Sequence, residues 1–163
     1  MIVTDDKILR QMSKDWEGTV KELDELVKKM ESAMKEVNGI GIAAIQIGVP
    51  KRIFITGDPL EIFINPKILE LSSMKKKHWE GCLSCPNTEV RTSRARTISI
   101  EYTTVRGEEF AVVRRKFTGF DAVRIQHELD HLKGKLFIDY LSPLKRQRIR
   151  KKLEKDARLA ARA

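Results

Sequence analysis

The chain has 163 residues, a length that fits one domain. Its hydrophobic fraction of 41% is typical of a globular protein, and no run of residues is long and apolar enough for a membrane helix. The first residues lack the basic flank and apolar core of a secretory signal. These observations exclude a membrane span and favour a cytoplasmic protein.

The positive charge is concentrated near the C-terminal end of the chain. The net charge is +9, and residues 145–163 contain nine Lys and Arg against two acidic residues. The other residues are close to neutral. Such a segment is typical of attachment to an anionic partner such as nucleic acid, but it is equally typical of a solvated helix face. Both interpretations stay open at this point.

Hydrophobic spacing predicts three helices and several strands. The first helix is expected over residues 17–37, where apolar residues recur at three- and four-residue steps before Gly39. A second helix is expected over 121–132, with Thr118 as a possible cap, and a third over 144–160. Short β-branched runs predict strands over 52–56, 62–65, 97–102 and 109–113, the last two joined by a turn at 105–108.

The segment His127-Glu-Leu-Asp-His131 is the most informative part of the sequence. Two histidines four residues apart lie on one face of a helix, so both imidazoles can bind one cation. Glu128 could then take a proton from a water without being a ligand. We therefore expect an α+β fold in which a mostly antiparallel sheet packs around this central helix, with further helices at the N- and C-terminal ends.

A hydrolytic metal site needs a third protein ligand, and no His or Cys follows His131. Cys82 or Cys85 is therefore the expected soft ligand. A structural Cys2His2 zinc site would leave Glu128 without a use, and a thioredoxin-like pair would need a βαβ pattern that is absent. Because residues three apart in an extended segment point to opposite faces, we expect one cysteine to bind the metal and the other to face away as a small buried hydrophobe.

Three segments resemble the peptide deformylases. They are Gly39-Ile-Gly-Ile-Ala-Ala-Ile-Gln46, Glu80-Gly-Cys-Leu-Ser84 and Gln126-His-Glu-Leu-Asp-His-Leu-Lys-Gly134, in the order and with the spacing of that family. The resemblance covers nearly the whole chain. It implies an enzyme that removes the N-formyl group from formyl-methionyl nascent polypeptides and releases formate.

The resemblance also implies the roles of individual residues. Cys82, His127 and His131 would hold one divalent metal ion, natively Fe(II), although Zn or Ni can occupy the same kind of site. Glu128 would act as general base and acid while a metal-bound water attacks the formyl carbon. The side-chain amide of Gln46 and the backbone N–H of Leu83 would stabilise the oxyanion. Four residues would bind the peptide: Gly41, Ile40, Val123 and Arg94.

Some of these assignments have simpler alternatives. Ile40 and Val123 could be ordinary core residues rather than parts of a methionine pocket. Cys85 stands where the family commonly has an aliphatic residue. The resemblance divides the chain into a catalytic deformylase domain over 1–143 and a basic C-terminal helix of the same domain over 144–163.

The basic helix has an expected partner. Within this family such a helix is associated with ribosome docking, which would be electrostatic and independent of nucleic-acid sequence. Two other functions compete with deformylation. A zinc endopeptidase would need a downstream ligand that is missing, and a non-catalytic ribosome-binding module would give Glu128 no role.

Overall fold

The computed structural model describes residues 2–160. Its helices are α1 (Asp6–Leu9), α2 (Val20–Glu36), α3 (Gly119–Leu132) and α4 (Pro143–Ala160). Its strands are β1 (Gly41–Ala43), β2 (Ile53–Thr56), β3 (Glu61–Leu71), β4 (Lys75–Cys82), β5 (Cys85–Ala95), β6 (Thr97–Arg106) and β7 (Glu109–Thr118). Short 3₁₀ turns cover Ala44–Ile47 and Phe137–Tyr140. Among the described residues, no helix is both long and apolar enough to cross a membrane.

Two antiparallel sheets form the framework. Five strands pair in the order β1-β2-β3-β6-β7, and β4 and β5 form a separate hairpin. Within residues 2–160, β1 pairs only with β2, so it lies at the edge of the larger sheet. The prediction of an α+β fold with a mostly antiparallel sheet is confirmed.

The larger sheet is covered on both faces because alternate side chains of a strand point to opposite sides. In β2, Phe54 packs with the apolar side of α3, whereas Ile53 and Ile55 pack with α2. The helix that carries His127 is therefore central, as predicted, and all of its residues from Glu128 to Leu132 are buried.

A third apolar cluster joins the hairpin to the two ends of the described chain. Cys85 and Val90 of β5 pack there with Leu9 of α1 and with the 3₁₀ turn Phe137–Tyr140. Ile149 and Leu153 lie one turn apart on α4 and pack against the same cluster. The predicted basic helix is thus docked on the domain, while residues 161–163 of the predicted segment lie outside the described residues.

The element boundaries differ from the prediction for local physical reasons. α2 begins at Val20 because Thr19 caps it, its Oγ1 accepting from the Glu22 backbone N–H while the Glu22 carboxylate accepts from the Thr19 backbone N–H. The same device was wrongly predicted for α3, since Thr118 precedes that helix without a side-chain cap. β4 and β5 were not predicted as strands, because β4 is rich in Lys, Glu and Gly.

Candidate metal centre and active site

A cavity of about 910 Å³ lies where the edge strand β1, the β4–β5 hairpin and α3 meet. Most of the site residues expected from the sequence line it: Ile40, Gly41, Gln46, Cys82, Leu83, Val123, His127 and Glu128. His131 lies behind this lining, fully buried. The fold therefore brings the three family segments to one place from three separate elements.

Cys82, His127 and His131 form a compact donor set. One sulfur or nitrogen atom from each residue lies within 4.8 Å of the others. Cys82 Sγ is 3.3 Å from His131 Nε2, and the two imidazole rings are 5.0 Å apart between centroids. Burial lowers the pKa of His131 well below its ordinary value, so its ring is neutral and able to donate a lone pair to a cation.

The hairpin turn corrects the expected course of the two cysteines. Cys82 ends β4, Cys85 begins β5, and Leu83 and Ser84 form the turn between them. The segment is therefore not extended, and the prediction that the two cysteines point to opposite faces is wrong. Cys85 pairs directly across from Cys82 in the strand register. It is nevertheless a buried apolar packing residue, as expected, and it lies outside the compact donor set.

Glu80 orients the His127 side chain. Its Oε2 lies 2.8 Å from His127 Nδ1, and because a carboxylate can only accept, the Nδ1–H donates and Nε2 keeps its lone pair. Burial opposes ionisation of Glu80, but hydrogen bonds from Arg94 and His127 outweigh it and lower its pKa to about 2. The glutamate is thus a fixed anion beside the donor set, a role that the sequence reasoning missed although Glu80 begins one of the family segments.

Arg94 lies beneath the site rather than in the cavity. Only 3% of it is exposed, and its guanidinium donates to both carboxylate oxygens of Glu80 and to Asp130. Tyr140 closes this network by donating to Asp130. The structure therefore does not bring Arg94 to the predicted peptide contact, because its guanidinium is buried between Glu80 and Asp130 and bonds to both. No local sequence pattern could have revealed this network, because Glu80, Arg94 and Asp130 lie on three different elements.

Glu128 places a buried carboxylate against β1. Its Oε1 lies so close to Gly41 that a Cβ on residue 41 would stand 2.7 Å from it. Its Oε2 is buried and has no hydrogen-bond partner among the described residues. Burial raises the pKa of Glu128 to about 7, although the charges of His127 and Arg124 oppose the shift. A carboxylate with this pKa can both accept and return a proton near neutral pH.

The side-chain amide of Gln46 is fixed in one orientation. Its Oε1 accepts from the Ala43 backbone N–H at 2.9 Å, so its Nε2 points to Ser84 Oγ at 3.2 Å and to Cys82 Sγ at 3.5 Å. Gln46 is 1% exposed. A donor held in this way beside the donor set is suited to stabilising negative charge.

The rim of the cavity is apolar and partly exposed. Val123 is buried in its wall, while Ile40 is half exposed at its edge. Trp79, expected from the sequence to be a surface or rim residue, lines the cavity with much of its surface exposed. Phe120, which was not expected near the site, lines it in the same way. A single exposed phenylalanine carries no motif, so only the fold identifies Phe120 as part of this rim.

Gln126 joins α3 to the hairpin. Its Oε1 accepts from the Ala95 backbone N–H at 3.1 Å, and its Nε2 donates to the Ala95 carbonyl at 2.9 Å. A second bond from Nε2 reaches the Ala122 carbonyl of the same helix. The side chain therefore bonds to the backbone at the end of β5 as a neighbouring strand would, and it joins the two elements that carry the candidate donor set.

The residues present fit a divalent cation. One thiol and two imidazoles at this spacing are donors that bind Fe(II), Zn(II) or Ni(II). Glu80 supplies the outer hydrogen bond that such a histidine ligand needs. The unpaired Oε2 of Glu128 adds a buried acceptor that faces no other described side-chain donor.

The whole chain has close relatives. A family model described as polypeptide deformylase matches residues 1–147. The peptide deformylase of Pseudoalteromonas translucida is 42% identical over 161 residues, covering 95% of this chain and 93% of the relative. That of Pelagibacter ubique is 43% identical over 156 residues, covering 91% and 89%.

Solved structures agree with the sequence comparisons. A crystal structure of a peptide deformylase from Legionella pneumophila superposes with a TM-score of 0.89 at 34% identity, covering 100% of this chain and 97% of the other. A Plasmodium falciparum peptide deformylase in complex with an inhibitor gives a TM-score of 0.84 at 36% identity, covering 96% and 98%. The chain therefore belongs to the polypeptide deformylase family and is an enzyme of that kind.

Proposed function

We propose that this deformylase hydrolyses the formamide bond of formyl-methionyl polypeptides at the cavity between β1, the β4–β5 hairpin and α3. The carrying observation is the compact donor set of Cys82, His127 and His131, with the buried Glu128 carboxylate beside it. Deformylation releases formate and a free α-amine, so it needs an activated water and a group that moves one proton.

Cys82, His127 and His131 would hold the divalent cation, which we propose is Fe(II). When bound, it would supply a Lewis acid that lowers the pKa of water and polarises a carbonyl oxygen. Glu80 keeps His127 in the tautomer whose Nε2 can bind. The mixed sulfur and nitrogen donor set is also compatible with Zn or Ni, which would serve in reconstituted protein.

Glu128 carries the proton in this mechanism. As a water attacks the formyl carbon, the carboxylate takes one proton, and it then returns that proton to the departing amine. Its burial and its raised pKa of about 7 support both halves of the transfer. Its contact with Gly41 supports a fixed starting position.

Two donors would stabilise the oxygen that becomes negative during the attack. Gln46 Nε2 is held by the bond between Gln46 Oε1 and the Ala43 N–H. The backbone N–H of Leu83 belongs to the hairpin turn that lines the same cavity. A preorganised donor of this kind typically contributes a factor of about 10²–10³ in kcat.

The peptide substrate would lie along the free edge of β1. Gly41 belongs to this edge strand and lines the cavity, which supports pairing with an extended backbone. Ile40 and Val123 supply apolar surface to the same cavity, which suits an unbranched thioether side chain. The position of Arg94 gives no support to its direct contact with the peptide.

The test is anaerobic formate release from a short formyl-Met peptide by Fe(II)-loaded enzyme and by Glu128→Gln. We expect rapid release by the parent and a loss of at least about 10²-fold in the variant, because only the carboxylate can accept the proton. Measured metal content ensures that both proteins are equally loaded. Equal turnover by the two proteins would contradict the role of Glu128. If the folded, Fe(II)-loaded parent released no formate, the proposal that formyl-Met peptides are the substrate would be overturned.

We further propose that α4 attaches the enzyme to the ribosome, a surface rich in anionic RNA. Ile149 and Leu153 pack inward, while Arg146 and Arg150 pair with Asp139 and Asp6. Other basic residues of the helix are exposed and give it a cationic outer face: Lys145, Arg148, Lys151, Lys155 and Arg158. Attachment by such a face is electrostatic and weakens as salt increases.

Charge reversal of Lys145, Arg148 and Lys155 should weaken salt-sensitive ribosome binding and leave formate release from short peptides intact. Reversal of Arg146 and Arg150, which contact the domain, serves as the comparison and should lower stability. Equal loss of peptide activity and ribosome binding in the first variant would mean that the outer face serves the fold.

Action on nascent chains also supports a cytoplasmic location.

A further inference from the structure

The two cysteines face each other across the turn of the β4–β5 hairpin. Cys82 and Cys85 are register partners, separated only by the turn residues Leu83 and Ser84. The ends of a β-turn have Cα atoms less than about 7 Å apart. Residues directly opposite in an antiparallel pair share one face, with Cβ atoms about 4.5–5.5 Å apart. The two thiols are therefore neighbours by construction of the hairpin.

This spacing is close to that of a disulfide. Disulfide-bonded cysteines have Cα atoms about 4.4–6.8 Å apart and Cβ atoms about 3.5–4.5 Å apart. Both cysteines are free thiols in the structure. A small adjustment of the turn would let the two sulfurs bond, and the irregular register between Gly81 and Cys82 marks the place where β4 departs from regular pairing.

Both thiols border space that a small molecule can enter. Cys82 and Cys85 line the active-site cavity. Cys85 also lines a second cavity of about 520 Å³ beneath α4, on the other side of the hairpin. Cys82, the thiol that meets the oxidant, is only partly exposed, so a small hydroperoxide fits this access better than a protein partner does.

We propose that Cys85 is a modification site that resolves oxidation of the metal ligand Cys82, forming a reversible Cys82–Cys85 disulfide when the enzyme meets a hydroperoxide. The metal consequence rests on the proposed role of Cys82 as a ligand. The covalent step itself depends only on the hairpin geometry.

The chemistry balances with hydrogen peroxide as the oxidant. Cys82 Sγ attacks one peroxide oxygen, the O–O bond breaks, and water leaves as Cys82 becomes a sulfenic acid. Cys85 Sγ then attacks the Cys82 sulfur, so the S–S bond forms and the S–O bond breaks. The hydroxyl group leaves as a second water. The two sulfurs have lost two electrons, and one peroxide has become two waters.

The disulfide would inactivate the enzyme, and it would also protect Cys82 from irreversible oxidation. A metal binds the thiolate, so the oxidised pair would release the cation. Without a resolving thiol, a sulfenic acid proceeds to sulfinic and sulfonic acids, which a dithiol does not reverse. An aliphatic residue at position 85 would leave Cys82 on that irreversible course.

The test treats zinc-loaded full-length protein with hydrogen peroxide, since zinc itself has no redox chemistry. The protein is then alkylated in denaturant, and its intact mass and the released zinc are measured. We expect the parent to lose about 2 Da, to take up no alkylating agent and to release zinc. Dithiothreitol should restore both thiols and zinc binding.

Cys85→Val is the matched control because it keeps an apolar side chain in the same cluster. It should add oxygen atoms at Cys82 that dithiothreitol does not remove, and Cys85→Ala should do the same if Val strains the packing. The proposal would be overturned if the parent gained oxygen atoms at Cys82 as fast as the variants do. A disulfide between two chains instead of within one would also overturn it. The mass readout does not use formate release, so failure of the proposed deformylation would be seen separately.

Discussion

At the scale of single residues, the position of Glu128 depends on the absence of a side chain at residue 41. The carboxylate occupies the space where a Cβ would stand, only 2.7 Å from Oε1. The contact is with the flexible end of the glutamate, so an added methyl group would move the carboxylate rather than the backbone. Gly41 thus helps to determine where the proposed proton carrier sits.

Gly41→Ala should therefore lower turnover with little loss of stability. A displacement of about 1 Å at a reacting group can cost about 10²-fold in rate. Formate release gives kcat and KM, and thermal unfolding gives stability. Gly57→Ala is the matched control, because its Cβ would meet only the end of Met34, at 3.2 Å. Unchanged kcat in the Gly41 variant would show that Glu128 does not need this position.

Glu80→Gln should weaken metal binding. His127 would lose its anionic acceptor, and loss of such an outer partner typically costs about 10–100-fold in metal affinity. The buried Arg94 would also lose one of its two charge partners and keep Asp130, so stability should fall by less than the about 3–5 kcal/mol typical of a buried charge left unpaired. Chelator competition and urea unfolding measure the two effects.

Thr92→Val is the comparison for Glu80→Gln, since it removes the Thr92 hydroxyl that donates to Glu80 but leaves every charge in place. It should retain most of the metal affinity. Equal metal affinity in Glu80→Gln and the parent would contradict the orienting role of Glu80.

At the scale of secondary structure, an element could be predicted from the sequence where its apolar residues repeat with a clear helical or strand period. α2 and α3 were predicted because their apolar residues repeat at helical spacing over several turns. β4 carries Lys75, Lys76 and Lys77, which offer no apolar alternation, so only its pairing with β5 makes it a strand. The hairpin also decides how the cysteines meet, and sequence spacing alone could not reveal the turn at Leu83 and Ser84.

The start of α2 provides a test at this scale. Thr19→Ala should lower the free energy of unfolding by about 1 kcal/mol, because the Glu22 N–H at the helix start loses its side-chain acceptor. Urea unfolding of the parent and the variant measures the difference. Thr19→Ser keeps the hydroxyl and should be close to the parent. A variant as stable as the parent would show that the cap contributes nothing in this context.

At the scale of the whole molecule, the three family segments predicted the residues of the candidate site. They did not predict the buried hydrogen-bond network that holds those residues in place. The positions of Cys82, His127 and Glu128 follow from motifs that occupy a few residues each. The buried network from His127 through Glu80, Arg94 and Asp130 joins segments far apart in the chain. Such pairs leave no local pattern, which is why Arg94 was expected at the peptide.

An ion pair between distant segments predicts the acid sensitivity of the fold. Arg10, at the end of α1, donates to Asp139 in the turn before α4. Burial would raise the pKa of Asp139, but the hydrogen bond and charge of Arg10 outweigh it and lower the pKa. Because the folded pKa lies below the unfolded one, this carboxylate stabilises the fold above about pH 4, the unfolded value, and less as pH falls further.

Asp139→Asn should therefore be less stable than the parent at neutral pH, and the difference should shrink as pH falls below about 4. Thermal unfolding of both proteins across this range measures it. A difference that stays constant down to the most acidic condition would mean that Asp139 acts through its shape rather than its charge.

The Gln126 bridge between α3 and the end of β5 separates loss of the cation from loss of the fold. The Ala95 amide is held by the side chain of a helix rather than by a neighbouring strand, so its proton can exchange with solvent only when α3 moves off the hairpin. We expect removal of the metal by a chelator to leave this bridge in place, because neither Gln126 nor Ala95 belongs to the donor set. Deuterium uptake at Ala95 should therefore stay slow in the stripped enzyme, which would keep the donors aligned for reloading.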